Sequence, residues 1–84
     1  MNVSYHKTFL KEFKKFDISL QDEIIKKIEL FKKDYTDKRL KTHKLGGKLK
    51  KQMAFSVNYS LRIFFEIIND EAVLLDIGGH DLYR

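Results

Sequence analysis

The first half of the chain places apolar residues among lysines and acids at the spacing of two amphipathic helices. The first apolar stripe consists of Phe9, Leu10, Phe13 and Phe16. The second consists of Ile24, Ile25, Ile28, Phe31 and Tyr35. Ser19 and Asp22 resemble a capping box, which predicts that the second helix spans about residues 19–35. The "FDIS" segment separates the two stripes, so we predict a hairpin of helices.

The second half is rich in Phe, Ile, Val and Leu and is interrupted by two turn sequences, "VNYS" and "ND". This pattern predicts three strands at about residues 49–57, 60–68 and 71–77, joined as antiparallel hairpins. Residues 2–5 are a candidate for a further short strand. The predicted fold class is α+β: residues 1–84 form a single domain in which an N-terminal helical hairpin packs on one face of a small curved antiparallel β-sheet.

The segment "LRIFFEII" is apolar at both alternating sets of positions, which predicts a central strand covered on much of both faces. Arg62 is the exception. One interpretation is structural: Arg62 pairs with Glu66, which shares its strand face, or extends to water at the sheet edge. The functional interpretation is a guanidinium that lines a groove and binds a phosphate.

Composition excludes several classes of function. The 84 residues include no cysteine, which rules out disulfides and thiolate metal sites and fits a reducing compartment. No apolar run approaches the length of a membrane helix, and Met1 leads into polar residues rather than a secretory signal. We therefore expect a cytoplasmic protein without a membrane association.

Positive charge is concentrated in one stretch. Residues 38–51 carry seven Lys or Arg and no acid, whereas the residues before them carry eight basic and seven acidic side chains and those after them two basic and five acidic ones. Such a block is typical of a surface that binds polyanions, most often nucleic acid, although a solvated lysine-rich loop has the same composition.

The candidate chemistry consists of histidines and cations. There is no phosphate-binding Walker loop, no nucleophile elbow, and no metal spacing among the three histidines, so we expect no cofactor and no metal. Cleavage of RNA by its own 2′-hydroxyl needs only proton transfers, charge stabilisation and base stacking. Histidine is suited to the proton transfers, Lys and Arg to the charge stabilisation, and an aromatic ring to the base stacking.

Three segments resemble the RelE/ParE superfamily of bacterial toxins, and within it the YafQ-like mRNA interferases. They are "HKLGGKLK", "YSLRIFFEI" and the terminal "IGGHDLYR". The resemblance implies a toxin that cuts mRNA on the ribosome and so stops translation. It also implies a hetero-oligomer with a cognate antitoxin, usually acidic, that blocks the site.

The resemblance also implies roles for individual residues. His80 matches the C-terminal catalytic histidine, Tyr83 the C-terminal aromatic, His43 the histidine before the sheet, and Arg62 the arginine that contacts the scissile phosphate. Lys48 and Lys50 fall among the family's substrate-binding lysines. The predicted catalytic residues are His80, His43, Arg62 and Tyr83. The predicted RNA-binding residues are Lys44, Lys48, Lys50 and Lys51.

The sequence departs from the YafQ pattern at one hairpin. The histidine and aspartate that YafQ-like enzymes carry there are missing from "AFSVNYSL". His43 or His80 then acts as the general base, alone or together with a lysine. Two alternatives stay open: a ParE-like inhibitor of DNA gyrase on the same fold, and a catalytically weak module that binds RNA or antitoxin.

Overall fold

The structure is a computed structural model that describes residues 1–47 and 51–79. Two helices precede most of the sheet: α1 (Lys7–Phe13) and α2 (Ile18–Lys33). Each begins at a side-chain cap. His6 Nδ1 accepts a hydrogen bond from the Thr8 N–H at 3.1 Å, and Asp17 Oδ1 accepts one from the Leu20 N–H at 2.8 Å.

The predicted start of the second helix is close to the observed one, but the capping box predicted at Ser19 is wrong. Asp17 stands two residues earlier, and its carboxylate reaches the third N–H of the helix, which a good N-cap must satisfy. Ser19 lies within the first turn. At the other end, α2 stops at Lys33 rather than residue 35, although Tyr35 still packs against the core.

Five strands form one sheet in the order β1-β5-β4-β3-β2. Their bounds are β1 (Asn2–Tyr5), β2 (His43–Lys44), β3 (Met53–Ser56), β4 (Arg62–Ile68) and β5 (Glu71–Gly78). The strands β3, β4 and β5 pair as antiparallel neighbours, as predicted, and β4 is central. β2 pairs antiparallel with β3.

Two features of the sheet differ from the prediction. β1 pairs parallel with β5, which makes the sheet mixed rather than antiparallel. Two helices and three strands separate β1 from β5 along the chain, so no hairpin forces the two strands to be antiparallel. β2 was not predicted because it has two residues, too few to show an alternating pattern. The β4–β5 hairpin turns at Asn69 and Asp70, whose φ angles of 52° and 63° are those of a tight two-residue turn.

The core lies between the helices and one face of the sheet. Phe31 of α2 stacks on Phe55 of β3, with ring centroids 4.4 Å apart, and meets Phe65 of β4 edge-on at 4.9 Å. Leu40 is also fully buried in this core. It belongs to the 3₁₀ turn Lys38–Leu40, so the basic segment is anchored to the core at that point.

Among the described residues, no helix combines the length and the apolar character that crossing a membrane requires.

Candidate nucleic-acid interface

The sheet has a second face, turned away from the helices, and two of the predicted catalytic residues lie on it. Ile63 and Phe65 of β4 enter the core, so the residues that alternate with them, Arg62 and Phe64, are on the other face. His43 stands opposite Ala54, and Ala54 stands opposite Phe64. Residues directly opposite each other share a face, so His43 and Arg62 belong to the same surface.

Arg62 is flanked by two small residues. It lies opposite Ser56 on β3 and opposite Gly78 on β5. The side chain is half-buried, and its Nε atom is buried. Small neighbours on both sides leave the guanidinium room on this face of the sheet.

The ion pair between Arg62 and Glu66 that the sequence allowed does not fit the geometry of β4. The two residues are four positions apart on one strand, about 13 Å at the rise of a β-strand. That separation is too long for a direct contact between two side chains that stand roughly perpendicular to the sheet. The interpretation that pairs Arg62 with Glu66 is therefore wrong.

His43 is exposed, and its ring is oriented by the backbone. Its Nδ1 lies 2.9 Å from the carbonyl oxygen of Lys41. A carbonyl oxygen can only accept, so Nδ1 carries the proton in this contact. In the neutral ring, Nε2 is then the unprotonated nitrogen, and it is available to take a proton.

The separation of His43 and Arg62 follows from the register. They are two strands apart across the sheet and two residues apart along it, which places their Cα atoms about 12 Å from each other. Side chains of this length can reach toward one group held between them. The arrangement could therefore place an imidazole and a guanidinium around a single phosphodiester.

Arg62 also lines a basic hollow of about 510 Å³ at the end of the sheet where β3 turns into β4. Three more cationic side chains border it, together with one aromatic residue. The lining residues used below are Lys27, Arg39, Lys41, Tyr59 and Arg62. We call this region the basic hollow.

One of these cations has a carboxylate partner. Arg39 Nε and one terminal nitrogen each donate to an oxygen of Asp37 at 3.0 Å. The hydrogen bonds from the side chain and then the backbone of Arg39 lower the pKa of Asp37 to about 2, with a smaller contribution from the charge of Lys27. Asp37 thus stays ionised and offsets part of the positive charge of the basic hollow.

The predicted RNA-binding lysines do not all lie in this region. Lys44 and Lys51 border a different hollow, of about 600 Å³, together with Glu66 and Ile67. It lies toward the other end of β4. Lys48, Lys50, His80 and Tyr83 lie outside the described residues, so their roles remain predictions.

Sequence reasoning missed Lys27 and Tyr59. The helical pattern assigns Lys27 to the solvent face of the second helix, yet it follows Ile24 by three positions and precedes Phe31 by four. Those intervals put it on the side of the buried stripe, and it is half-buried there. Tyr59 falls within a predicted turn, and no pattern in the sequence marks its ring as exposed.

Searches with protein-family models and with curated proteins gave no match. Comparison with solved structures gave many. A copper-bound mutant toxin from Helicobacter pylori is 28% identical, with a TM-score of 0.74, over 100% of this chain and 99% of the other. YafQ from E. coli strain BL21(DE3) is 14% identical, with a TM-score of 0.76, over 96% of this chain and 94% of the other.

The third comparison is a RelE–RelB complex from Pyrococcus horikoshii OT3. It is 11% identical, with a TM-score of 0.74, over 93% of this chain and 92% of the other. All three likenesses span nearly the whole of both chains. The resemblance predicted from the sequence is thereby confirmed, and the chain has the fold of the RelE/ParE toxin superfamily, with YafQ among its structural relatives.

Proposed function

We propose that this chain is the toxin of a type II toxin–antitoxin system and that it acts as a ribosome-dependent mRNA endoribonuclease. The observation that carries the proposal is the shared surface of His43 and Arg62. The oriented imidazole of His43 and the half-buried guanidinium of Arg62 lie on one sheet face, and the guanidinium also borders the basic hollow. The likeness to toxins over the whole chain supports the same assignment.

The reaction uses the 2′-hydroxyl of the RNA as its nucleophile. The 2′-oxygen forms a bond to phosphorus while its proton passes to a general base, and the bond to the 5′-oxygen breaks as that oxygen takes up a proton. His43 is suited to be the base, because its contact with the Lys41 carbonyl leaves Nε2 unprotonated in the neutral ring. The resemblance of "IGGHDLYR" to the family's ending implies that His80 is catalytic, and with His43 as the base we assign His80 the protonation of the leaving group.

Arg62 supplies charge stabilisation. The pentacoordinate phosphorus gains negative charge on its non-bridging oxygens in the transition state, and a guanidinium can hold two of them in a fork. The flanking Ser56 and Gly78 leave space for a phosphate to approach from the open side of the sheet. Tyr83, which the resemblance matches to the family's C-terminal aromatic, is proposed to help orient the substrate.

An acidic antitoxin is the proposed protein partner. The chain has a formal net charge of +5, and several of its positive groups border the surface just described. One structural relative, a RelE, forms a complex with RelB. A negatively charged segment laid over Arg62 and the basic hollow would block access of RNA by occupying the same cations.

The proposal is tested by inducing the intact chain, Arg62→Ala and His80→Ala in a bacterial host and following growth, RNA integrity and DNA supercoiling together. We expect growth arrest with cleaved transcripts for the intact chain and neither for the variants. Arrest that survives both substitutions, with intact transcripts and altered supercoiling, would favour the ParE-like inhibitor of gyrase instead.

A further inference from the structure

Among the residues that the structure describes, one aromatic ring lies wholly in solvent. Tyr59 is 99% exposed, at the tip of the turn between β3 and β4, and it borders the basic hollow. The ring has no ring contact in the part of the chain that the structure describes. It therefore adds nothing to the core, although it is one of the largest side chains of the sheet region.

The turn that carries Tyr59 is held firmly. Asn58 Oδ1 accepts hydrogen bonds from the backbone N–H groups of Ser60 and Leu61, each at 2.9 Å. The Val57 N–H donates to the Leu61 carbonyl at 2.9 Å. The exposed ring is thus carried by a turn whose backbone is ordered by hydrogen bonds, which lowers the entropy lost when a flat ligand stacks on the ring.

Two ammonium groups border the same hollow. Within the described residues, neither Lys27 nor Lys41 makes an ion pair. Lys41 has a φ of 50° and a ψ of 41°, a left-handed conformation that Gly or Asn adopts at lower cost. Folding alone would favour one of those residues there, so the side chain of Lys41 has no evident structural purpose.

We propose that the basic hollow binds the nucleotide adjoining the scissile bond, with its base stacked on Tyr59 and its phosphate held by Lys27 and Lys41. This inference rests on the proposed function and adds a substrate-positioning site to it. Arg62 borders both the basic hollow and the open sheet face, so an RNA strand bound in the hollow could extend past Arg62 over the face that carries His43.

The observations favour RNA over an acidic peptide. Cations alone would suit either ligand, but an exposed aromatic ring beside them is the combination that binds single-stranded nucleic acid. The volume of about 510 Å³ lies in the range of about 300–1,000 Å³ that small-molecule sites occupy, which is sufficient for one nucleotide. Tyr59 contributes without sequence preference, because every base has a flat face.

Binding is tested without cleavage. A short fluorescent single-stranded RNA with every 2′-oxygen methylated has no nucleophile, so its affinity can be measured by fluorescence anisotropy for every variant. Tyr59→Leu is expected to weaken binding about tenfold, and Tyr59→Phe, which keeps the ring, to leave it unchanged. Lys27→Gln is expected to reduce the salt dependence by about 0.7 in the log–log slope, the value of one phosphate contact.

Matched controls distinguish binding in the basic hollow from a general effect of the net charge of the protein. Lys26→Gln removes the same charge from the neighbouring position of α2, outside the hollow, and is expected to bind as the intact chain does. Lys41→Asn is expected to weaken binding while its melting temperature equals or exceeds that of the intact chain, because Asn accepts the left-handed backbone. If Lys41 were needed only for folding, Lys41→Asn would lower both the affinity for RNA and the melting temperature.

The outcomes distinguish this inference from the proposed function. Equal losses for Lys26→Gln and Lys27→Gln, or full binding by Tyr59→Leu, would overturn the nucleotide site even if the intact chain cleaves mRNA. Selective losses in methylated-RNA binding would support the site even if no cleavage were found. Variants that bind this RNA normally but lose affinity for an acidic peptide would show that the hollow binds protein, which also overturns the inference.

Discussion

Arg62 and Gly78 lie directly opposite each other in the antiparallel β4–β5 pair. On the other side of Arg62, in β3, the opposite residue is Ser56. The guanidinium therefore stands between two small neighbours on a face that the helices do not cover. This relationship is the basis of the first two predictions, which follow from the proposed role of Arg62.

Replacement of Arg62 should abolish most of the proposed ribonuclease activity. Arg62→Ala removes the charge opposed to the phosphorane and is expected to lower the rate about 10²–10³-fold, comparable to the loss of a preorganised donor. Arg62→Lys keeps the charge but not the fork, so it should restore only part of the rate. Single-turnover cleavage of an mRNA in a translating extract measures both, and wild-type rates in Arg62→Lys would contradict a bidentate role.

Filling the space beside Arg62 should have a similar effect without removing a charge. Ser56→Val enlarges the side chain in the same row of the sheet, and Val suits a strand, so stability should hold. Cleavage is expected to fall at least about tenfold as the guanidinium is displaced. Ser4→Val in β1, far across the sheet, is the control. Equal activity of the two variants would show that the space beside Arg62 is not used.

Removal of the His43 ring should slow cleavage with little effect on folding. His43→Gln deletes the proton acceptor and is expected to cost about 10²–10⁴ in rate. Single-turnover cleavage and the melting temperature of the variant and the intact chain measure the two halves of this prediction. His6→Asn, which keeps a helix cap, is the control and should behave as the intact chain does.

The Asp37–Arg39 pair predicts a specific response to acid. The pKa of Asp37 is lowered to about 2 from its ordinary 3.8, chiefly by the hydrogen bond from the Arg39 side chain. A lowered folded-state pKa stabilises the fold above the unfolded pKa, and that contribution is lost as pH falls through about 2. Arg39→Gln should return the pKa of Asp37 toward 3.8 and make stability between pH 3.8 and 2 less dependent on pH.

Carbon-13 NMR of the side-chain carboxyl measures this titration directly. Lys38→Gln is the matched control, since Lys38 is the neighbouring cation and the fork to the Asp37 carboxylate comes from Arg39. An unchanged Asp37 titration in Arg39→Gln would show that the fork is not what holds the carboxylate ionised.

The elements with long apolar stripes were predictable from the sequence, and the reason is burial. Phe31 and Phe65 belong to patterns with periods of about 3.6 and 2, and both are fully buried where those patterns place them. The parallel pairing of Asn2 with Glu71 was not predictable, because it joins segments at opposite ends of the chain and no local pattern encodes it.

The candidate site was predictable only in part. Arg62 could be identified as a candidate because a charged residue within an apolar strand costs free energy unless it is paired or hydrated. The way in which the basic stretch divides could not be predicted. Leu40 is buried in the core and Lys41 has a left-handed backbone conformation. As a result, Arg39 and Lys41 border one hollow, whereas Lys44 borders another. Charge composition records how many cations a stretch has, but not the direction in which each one points.

The chemistry of the RNA ends tests the central claim most directly. Transcripts isolated after induction of the intact chain, Arg62→Ala and His80→Ala can be sequenced from their 5′-hydroxyl ends, which attack by the 2′-oxygen must leave together with 2′,3′-cyclic phosphates. We predict new 5′-hydroxyl ends within coding regions for the intact chain and none for either variant. Growth arrest by the intact chain without such ends, or new ends that carry 5′-phosphates, would contradict the account.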